Sequence, residues 1–400
     1  MLIAVGLYMT YFTNRNDSIL KIEKYIWESF ANEKKIGLLT GLSGMALFYD
    51  KMYAVYKEDV YLEKLESIVE KVNNILEKEP TLSSLCSGLA GFGLLLLSLK
   101  NSSIEIDSEY FEDIDVILLE DLRSFSETDN YDFLHGSMGV AMYFIERCKS
   151  YKSQNNISKL NKFAEDLIHK MNQNFKEVLV SETALENDDR FCIYFGIAHG
   201  VACYLNFLIH LDQNFDELTS DITSVIKTGV AFLESYKRFD ENSKQYYPNL
   251  LLIKSGTIVG SRLSWCQGDF GISNALYNCG VFFNEDRLID EAKMLIKASC
   301  QMTLEESLVN DMGICHGSGG IALQYYLASK KYNIDFSPEI EKWLDIANTQ
   351  TLNYKSFLSF EKGEYHEENN LLEGAAGLGM TLLTVENKID TKWLEFINLF

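Results

Sequence analysis

Two kinds of apolar stretch alternate along the 400-residue chain. The first is one-sided. In YLEKLESIVEKVNNIL, residues 61–76, Leu62, Leu65, Ile68, Val69, Val72, Ile75 and Leu76 recur three and four apart, which places them on one face of a helix. DSILKIEKYIWESF, KLNKFAEDLIHKMNQNF and EDRLIDEAKMLIKAS carry the same pattern. The second kind is apolar all round: MALFYDKMYAVY, FGLLLLSLK, VAMYFIERC, YLNFLIHL, ISNALYNCGVFF, IALQYYLAS and LGMTLL. Such runs predict helices buried on every side.

Each all-apolar run follows a glycine motif, x-G-x-x-G, whose first glycines are Gly41, Gly88, Gly136, Gly200, Gly268, Gly317 and Gly374. The steps between them are 47, 48, 64, 68, 49 and 57 residues, the mark of an internal repeat. In the fourth copy Cys203 replaces the second glycine. Each repeat therefore reads as an amphipathic helix, a glycine turn and a buried helix. An open stack of such pairs needs polar caps at its ends, and neither terminal apolar run has a polar face. Closing the stack removes the ends. The expected fold is all-α: an α/α toroid with about seven inner and seven outer helices, forming a single domain over residues 1–400. Glycine lets the backbone turn sharply where the inner helices begin. All seven turns then fall at one end, around one axis. The two longest steps leave room for extra material near 176–195 and 238–262, expected to be loops or a small β insertion.

Three prolines in 400 residues agree with a mostly helical chain. A net charge of −22 argues against a nucleic-acid phosphate partner, because neutralising phosphates needs Lys and Arg. The apolar start MLIAVGLYMTYF is too short to span a bilayer and lacks the features of a signal peptide. The chain is expected to be cytoplasmic, touching a membrane only through partners. Eight cysteines in such a chain are expected to be reduced. Cys148, Cys192, Cys203, Cys279 and Cys300 read as core residues.

The residues directly before the turn glycines are Thr40, Ser87, His135, His199, Gln267, His316 and Glu373. Three of the six histidines share this slot. One position earlier stand Cys86, Cys266 and Cys315. Ring closure brings these side chains to one cavity. Cys266, Cys315 and His316 come from adjacent repeats and form a set suited to Zn²⁺ with a fourth position open, the arrangement of a catalytic zinc. Cys86 is a rival ligand, ranked lower because Leu85 and Ser87 offer no second donor.

SWCQGDFG (264–271) and ICHGSGG (314–320), with the seven glycine turns and the segments YDFLHG and IAHG, resemble the lanthionine synthetase C-like cyclase family over residues 17 to 385. That resemblance implies an α/α toroid with one zinc. It implies an enzyme that adds cysteine thiols to dehydroalanine or dehydrobutyrine in a precursor peptide, forming thioether rings. It makes Cys266, Cys315 and His316 the zinc ligands, and Asp132, His199 and Arg262 the catalytic residues. His199 would be an acid or base, Asp132 its orienting carboxylate, and Arg262 a stabiliser of enolate charge. The implied partners are a dehydrated precursor peptide with leader and core, a separate dehydratase and an export transporter. Gln267 stands where the family often has Tyr or His, and His135 where related bacterial cyclases often have an acid. Two other readings share the motif: addition of glutathione to dehydro residues, and a non-catalytic zinc scaffold that presents a precursor peptide. A glycan-processing α/α barrel would need paired carboxylates; the slots offer Glu373 and Asp132, but no second acid near Asp132.

Overall fold

The structure is a computed structural model that describes residues 15–99, 104, 106–182, 190–354, 357–361 and 363–400. The apolar start, residues 1–12, lies outside the described residues. The helices run in chain order as α1 (Arg15–Ser29), α2 (Leu42–Tyr56), α3 (Asp59–Leu76), α4 (Leu89–Leu99), α5 (Ser108–Glu127), α6 (Ser137–Ser150), α7 (Gln154–Val178), α8 (Val201–Asn214), α9 (Thr223–Tyr236), α10 (Asp269–Phe283), α11 (Asp286–Ser299), the one-turn α12 (Leu304–Ser307), α13 (Ser318–Tyr332), α14 (Ser337–Tyr354) and α15 (Ala375–Val385).

Each helix that follows a glycine turn is buried along almost its whole length. In α4, for example, every residue but Ser98 is buried. These seven, α2, α4, α6, α8, α10, α13 and α15, form the inner ring. The one-sided helices α1, α3, α5, α7, α9, α11 and α14 lie outside; α3 buries only Tyr61, Leu65, Ile68 and Val72. Inner neighbours pack on one another, and α15 packs on α2, which closes the ring. The fold is the expected α/α toroid. Among the described residues no helix is long and apolar enough to cross a membrane.

A helix start leaves backbone N–H groups without partners. The inner helices meet this need with the turn itself. Leu42 and Ser43 donate to the carbonyls of Lys35 and Ile36, Leu89 and Ala90 to Leu82 and Ser83, and Ala375 and Ala376 to Glu368 and Asn369. The chain loops back over its own helix start by seven residues each time, so a glycine N-cap suffices. The fifth turn departs from this pattern. There the Asp269 N–H donates to the side chain of Gln245, 2.9 Å away, and Gly268 adopts φ +76°, a conformation that favours glycine.

The cause of that departure is the insertion that runs into the turn. Both expected insertions are β, and they belong to one sheet: β1 (Val180–Glu182), β2 (Phe191–Tyr194), β3 (Leu250–Leu252) and β4 (Ile258–Val259), antiparallel in that order. The buried Asp269 carboxylate at the start of α10 accepts the N–H groups of Tyr246 and Tyr247 and so ties this insertion to the inner ring. A second hairpin, β5 (Leu358–Glu361) with β6 (Glu364–Glu367), was not expected from the sequence. Its turn holds Gly363 at φ +87°.

Beyond α15, a short 3-10 turn (Lys392–Ile397) carries the chain into the ring from the end opposite the glycine turns. Asn398 donates to the Cys203 carbonyl at 3.1 Å, and Asn206 donates to the Asn398 carbonyl at 2.6 Å. The Trp265 indole N–H donates to the Ile397 carbonyl at 3.1 Å. Ile397 and Leu399 are fully buried.

Candidate active site

The glycine turns form a second, smaller ring held by backbone hydrogen bonds. The N–H two residues before each turn glycine donates to the carbonyl at the same place in the next turn. Leu39 donates to Cys86 at 3.0 Å, Cys86 to Leu134 at 3.0 Å, Ala198 to Cys266 at 3.4 Å, Cys266 to Cys315 at 3.2 Å, Cys315 to Leu372 at 2.9 Å and Leu372 to Leu39 at 2.9 Å. Among the described residues one link of this kind is missing, from Leu134 to Ala198. There the Leu134 and His135 N–H groups donate instead to Oδ1 of Asp132, at 3.0 and 2.7 Å. Oδ2 of the same carboxylate lies 2.6 Å from Nδ1 of His199. A side-chain pair thus joins the third and fourth turns where backbone joins the others.

Asp132 owes half of this role to the repeat. Ser84, Ser264 and Asn370 stand at the same place in their turns, and each accepts the N–H of the residue just before the glycine. Only Asp132 adds a contact to a neighbouring turn's histidine. Close approach demands glycine at this place elsewhere: a Cβ on Gly196 would lie 2.1 Å from the Cys266 carbonyl oxygen.

The turns surround an open cavity of about 400 Å³, lined by Cys266, Cys315, His199, His135, Cys86 and Glu373 among others. On one side the ligand atoms of Cys266, Cys315 and His316 all lie within 4.8 Å of one another. His316 is buried, and its Nε2 lies 3.0 Å from Oδ2 of Asp311. That is the outer-shell carboxylate often found behind a metal-bound histidine. The Cys315 thiol holds Cys266 well below the ordinary thiol range against the opposing effect of burial, with help from His316. For His316, burial opposes charge, but Asp311 and Cys266 outweigh it and push the ring up to about 10. Two free thiols, one inclined to be thiolate, with one imidazole form a soft donor set that fits Zn²⁺. Cys86 lies outside this cluster. Its thiol is buried, 3.6 Å from the Thr40 hydroxyl, and burial pushes it up to about 11.

His199 keeps 36% of its side chain exposed to the cavity. Burial disfavours its charged form, but Asp132 outweighs this, and the net shift is upward. Burial likewise opposes the Asp132 carboxylate, yet His199 and His135 hold it below its ordinary range. Arg262 stands beside the cluster, where its charge acts on Cys315 and His316. Its Nε is buried with no hydrogen-bond partner, and among the described residues no carboxylate lies within ion-pair distance of it. Every candidate residue from the sequence is therefore at or beside one cavity. Asp311 and Ser264, whose hydroxyl lies 3.6 Å from the Cys266 sulfur, were not foreseen. Ser264 could have been found by aligning the slot four residues before each glycine. Asp311 lies outside that slot.

Four of the five cysteines expected in the core are there, and the fifth packs against it only partly buried. Cys148, Cys192, Cys203 and Cys279 are buried, while Cys300 is partly exposed.

Comparisons with known proteins agree with the fold and the motifs. Residues 33–397 match the model of the lanthionine synthetase C-like protein family. The nisin biosynthesis protein NisC of Lactococcus lactis subsp. lactis is 25% identical over 429 aligned positions, covering 97% of this chain and 96% of NisC. A solved structure of nisin cyclase superposes with a TM-score of 0.76 at 20% identity, covering 97% of this chain and 98% of that one. With the family pattern spread across nearly all of its length, the chain belongs to the lanthionine synthetase C-like family.

Proposed function

We propose that the protein is a zinc-dependent lanthipeptide cyclase, joining precursor-peptide cysteines to dehydroalanine or dehydrobutyrine as thioether rings. One observation carries this reading: the two thiols of the soft metal-ligand cluster and His199, held by Asp132, line the same open cavity. The likeness to NisC and nisin cyclase supports it. Cys266, Cys315 and His316 would hold zinc with one position open. When bound, the metal favours the thiolate form of a substrate cysteine at neutral pH.

The chain's own residues supply the rest. Attack of sulfur on the dehydro β-carbon moves the double-bond electrons onto Cα and the adjoining carbonyl. Arg262, whose buried Nε has no hydrogen-bond partner among the described residues, can offset that developing charge. His199 carries the proton that Cα needs, and Asp132 fixes the ring by its Nδ1 and favours its protonated form. The substrate is a precursor peptide already dehydrated by another enzyme. Assembly with that dehydratase and an exporter is part of the proposal.

The test is direct. Purified protein loaded with Zn²⁺ is given dehydrated precursor peptide, and thiols are counted by alkylation and mass spectrometry. The expected result is stereospecific ring closure with loss of free thiol. A second arm adds glutathione to a cysteine-free dehydrated peptide. Glutathione adducts without rings would favour the glutathione reading, and no rate above background in either arm would favour the scaffold.

A further inference from the structure

The third glycine turn places a second histidine in the cavity, and the mechanism above does not use it. His135 is exposed, and its ring lies nearly parallel to that of His199, with centroids 6.1 Å apart and 16° between planes. Its backbone is fixed by the N–H bond to Asp132 at 2.7 Å, the same carboxylate that holds His199. No described side chain or backbone group hydrogen-bonds its ring nitrogens. His199 is differently placed: its Nδ1 is already engaged by Asp132.

We propose that His135 is the base that takes the proton from the incoming peptide thiol, leaving His199 to protonate Cα. This rests on the cyclase reading above. The charge environment agrees with the geometry. The groups facing His135 are Asp132, His199 and Lys35. Enclosure by the cavity walls lowers its pKa first, Asp132 opposes this, and His199 and Lys35 add to the lowering, so the net shift is downward. The same surroundings raise His199. Two like groups driven apart in this way can serve as base and acid at one pH. The step balances. The S–H bond breaks and its proton goes to a His135 nitrogen. The sulfur electrons form the C–S bond at Cβ, the double-bond pair moves to Cα, and the His199 N–H proton completes the Cα–H bond. The proton on His135 returns to His199 through the solvent of the open cavity. The net change is addition of S–H across C=C.

His135→Gln, loaded with zinc, is the test, with ring closure timed on two dehydrated peptides, one with cysteine and one with selenocysteine, whose selenol ionises without a base. Expected are unchanged zinc content, a ~10²-fold slower rate on the cysteine peptide, and a rate close to wild type on the selenocysteine peptide. On its acid side, the wild-type rate should fall as pH drops through the lowered His135 value, below the ordinary ~6.5. The variant's rate on the cysteine peptide should lose that limb and follow instead the ionisation of the substrate thiol itself. A wild-type rate and pH profile in the variant overturns the proposal, as does equal slowing on both peptides. Failure of the wild-type protein to close rings would strike the cyclase reading itself, an outcome distinct from either of these.

Discussion

Removal of either thiol from the cluster is the sharpest single-residue test. Cys266→Ala and Cys315→Ala are each expected to lower zinc from about one per chain to near none by elemental analysis, because two remaining donors hold zinc poorly. Cys86→Ala should leave zinc unchanged, since that thiol stands apart beside Thr40. His199→Ala and Asp132→Asn should keep zinc and slow ring closure by ~10²–10⁴-fold, the usual cost of losing a positioned acid or its orienter. The Asn variant also makes a pH prediction. Asp132 holds the His199 proton, so its loss lowers the histidine's pKa, and the alkaline limb of the rate profile should move to lower pH. The linked stability has the same sign. The raised His199 value stabilises the fold fully below the ordinary histidine range and is lost as pH rises through the folded value. The cluster was legible because its residues share repeated slots. The partnership of Asp132 with His199 was not legible from spacing, since it depends on which turn stands beside which. It came from the family motif.

At the scale of elements, the glycine turns and the insertion that abuts them control the site's geometry. Gly196→Ala would drive a methyl group into the Cys266 carbonyl oxygen, so the variant should lose zinc affinity even where it folds. Asp269→Ala would leave the N–H groups of Tyr246 and Tyr247 unpaired in a buried setting, at about 1–3 kcal/mol for each such group. Denaturant unfolding reads that loss, and faster proteolysis within 238–262 should accompany it. Burial lifts the Asp269 carboxyl to about 7 against the two backbone N–H bonds. Its contribution to stability is therefore greatest below the unfolded value near 3.8 and declines as pH rises toward about 7, a slope that Asp269→Asn should remove. The fourteen long helices were readable because one-sided and all-round apolar patterns differ plainly. The strands were less so. At two to four residues each they are too short for alternation to register, and β6 is exposed along its whole length, so it has no core face to betray it.

At the scale of the whole molecule, ring closure followed from apolar runs that no solvent-facing cap could finish, and α15 packed on α2 is its realisation. What the repeat could not announce is the segment after it, which has no counterpart in the other six units. A buried amide network secures that segment: Asn278 donates to Asn206 at 2.6 Å, Asn206 to the Asn398 carbonyl, and Asn398 to the Cys203 carbonyl. Asn206→Leu should destabilise the protein by about 1–3 kcal/mol by stranding these groups, measurable as a lower midpoint in urea. The segment also decides how a long substrate can be handled. Buried among the inner helices, that segment would stand in the way of a peptide reeled through the toroid like thread through a bead. In the cyclase proposed above, each thioether would then be made on a hairpin of peptide that dips into the cavity of the glycine turns and backs out again. A polymer with both ends blocked by bulky groups should then be cyclised as readily as one with free ends.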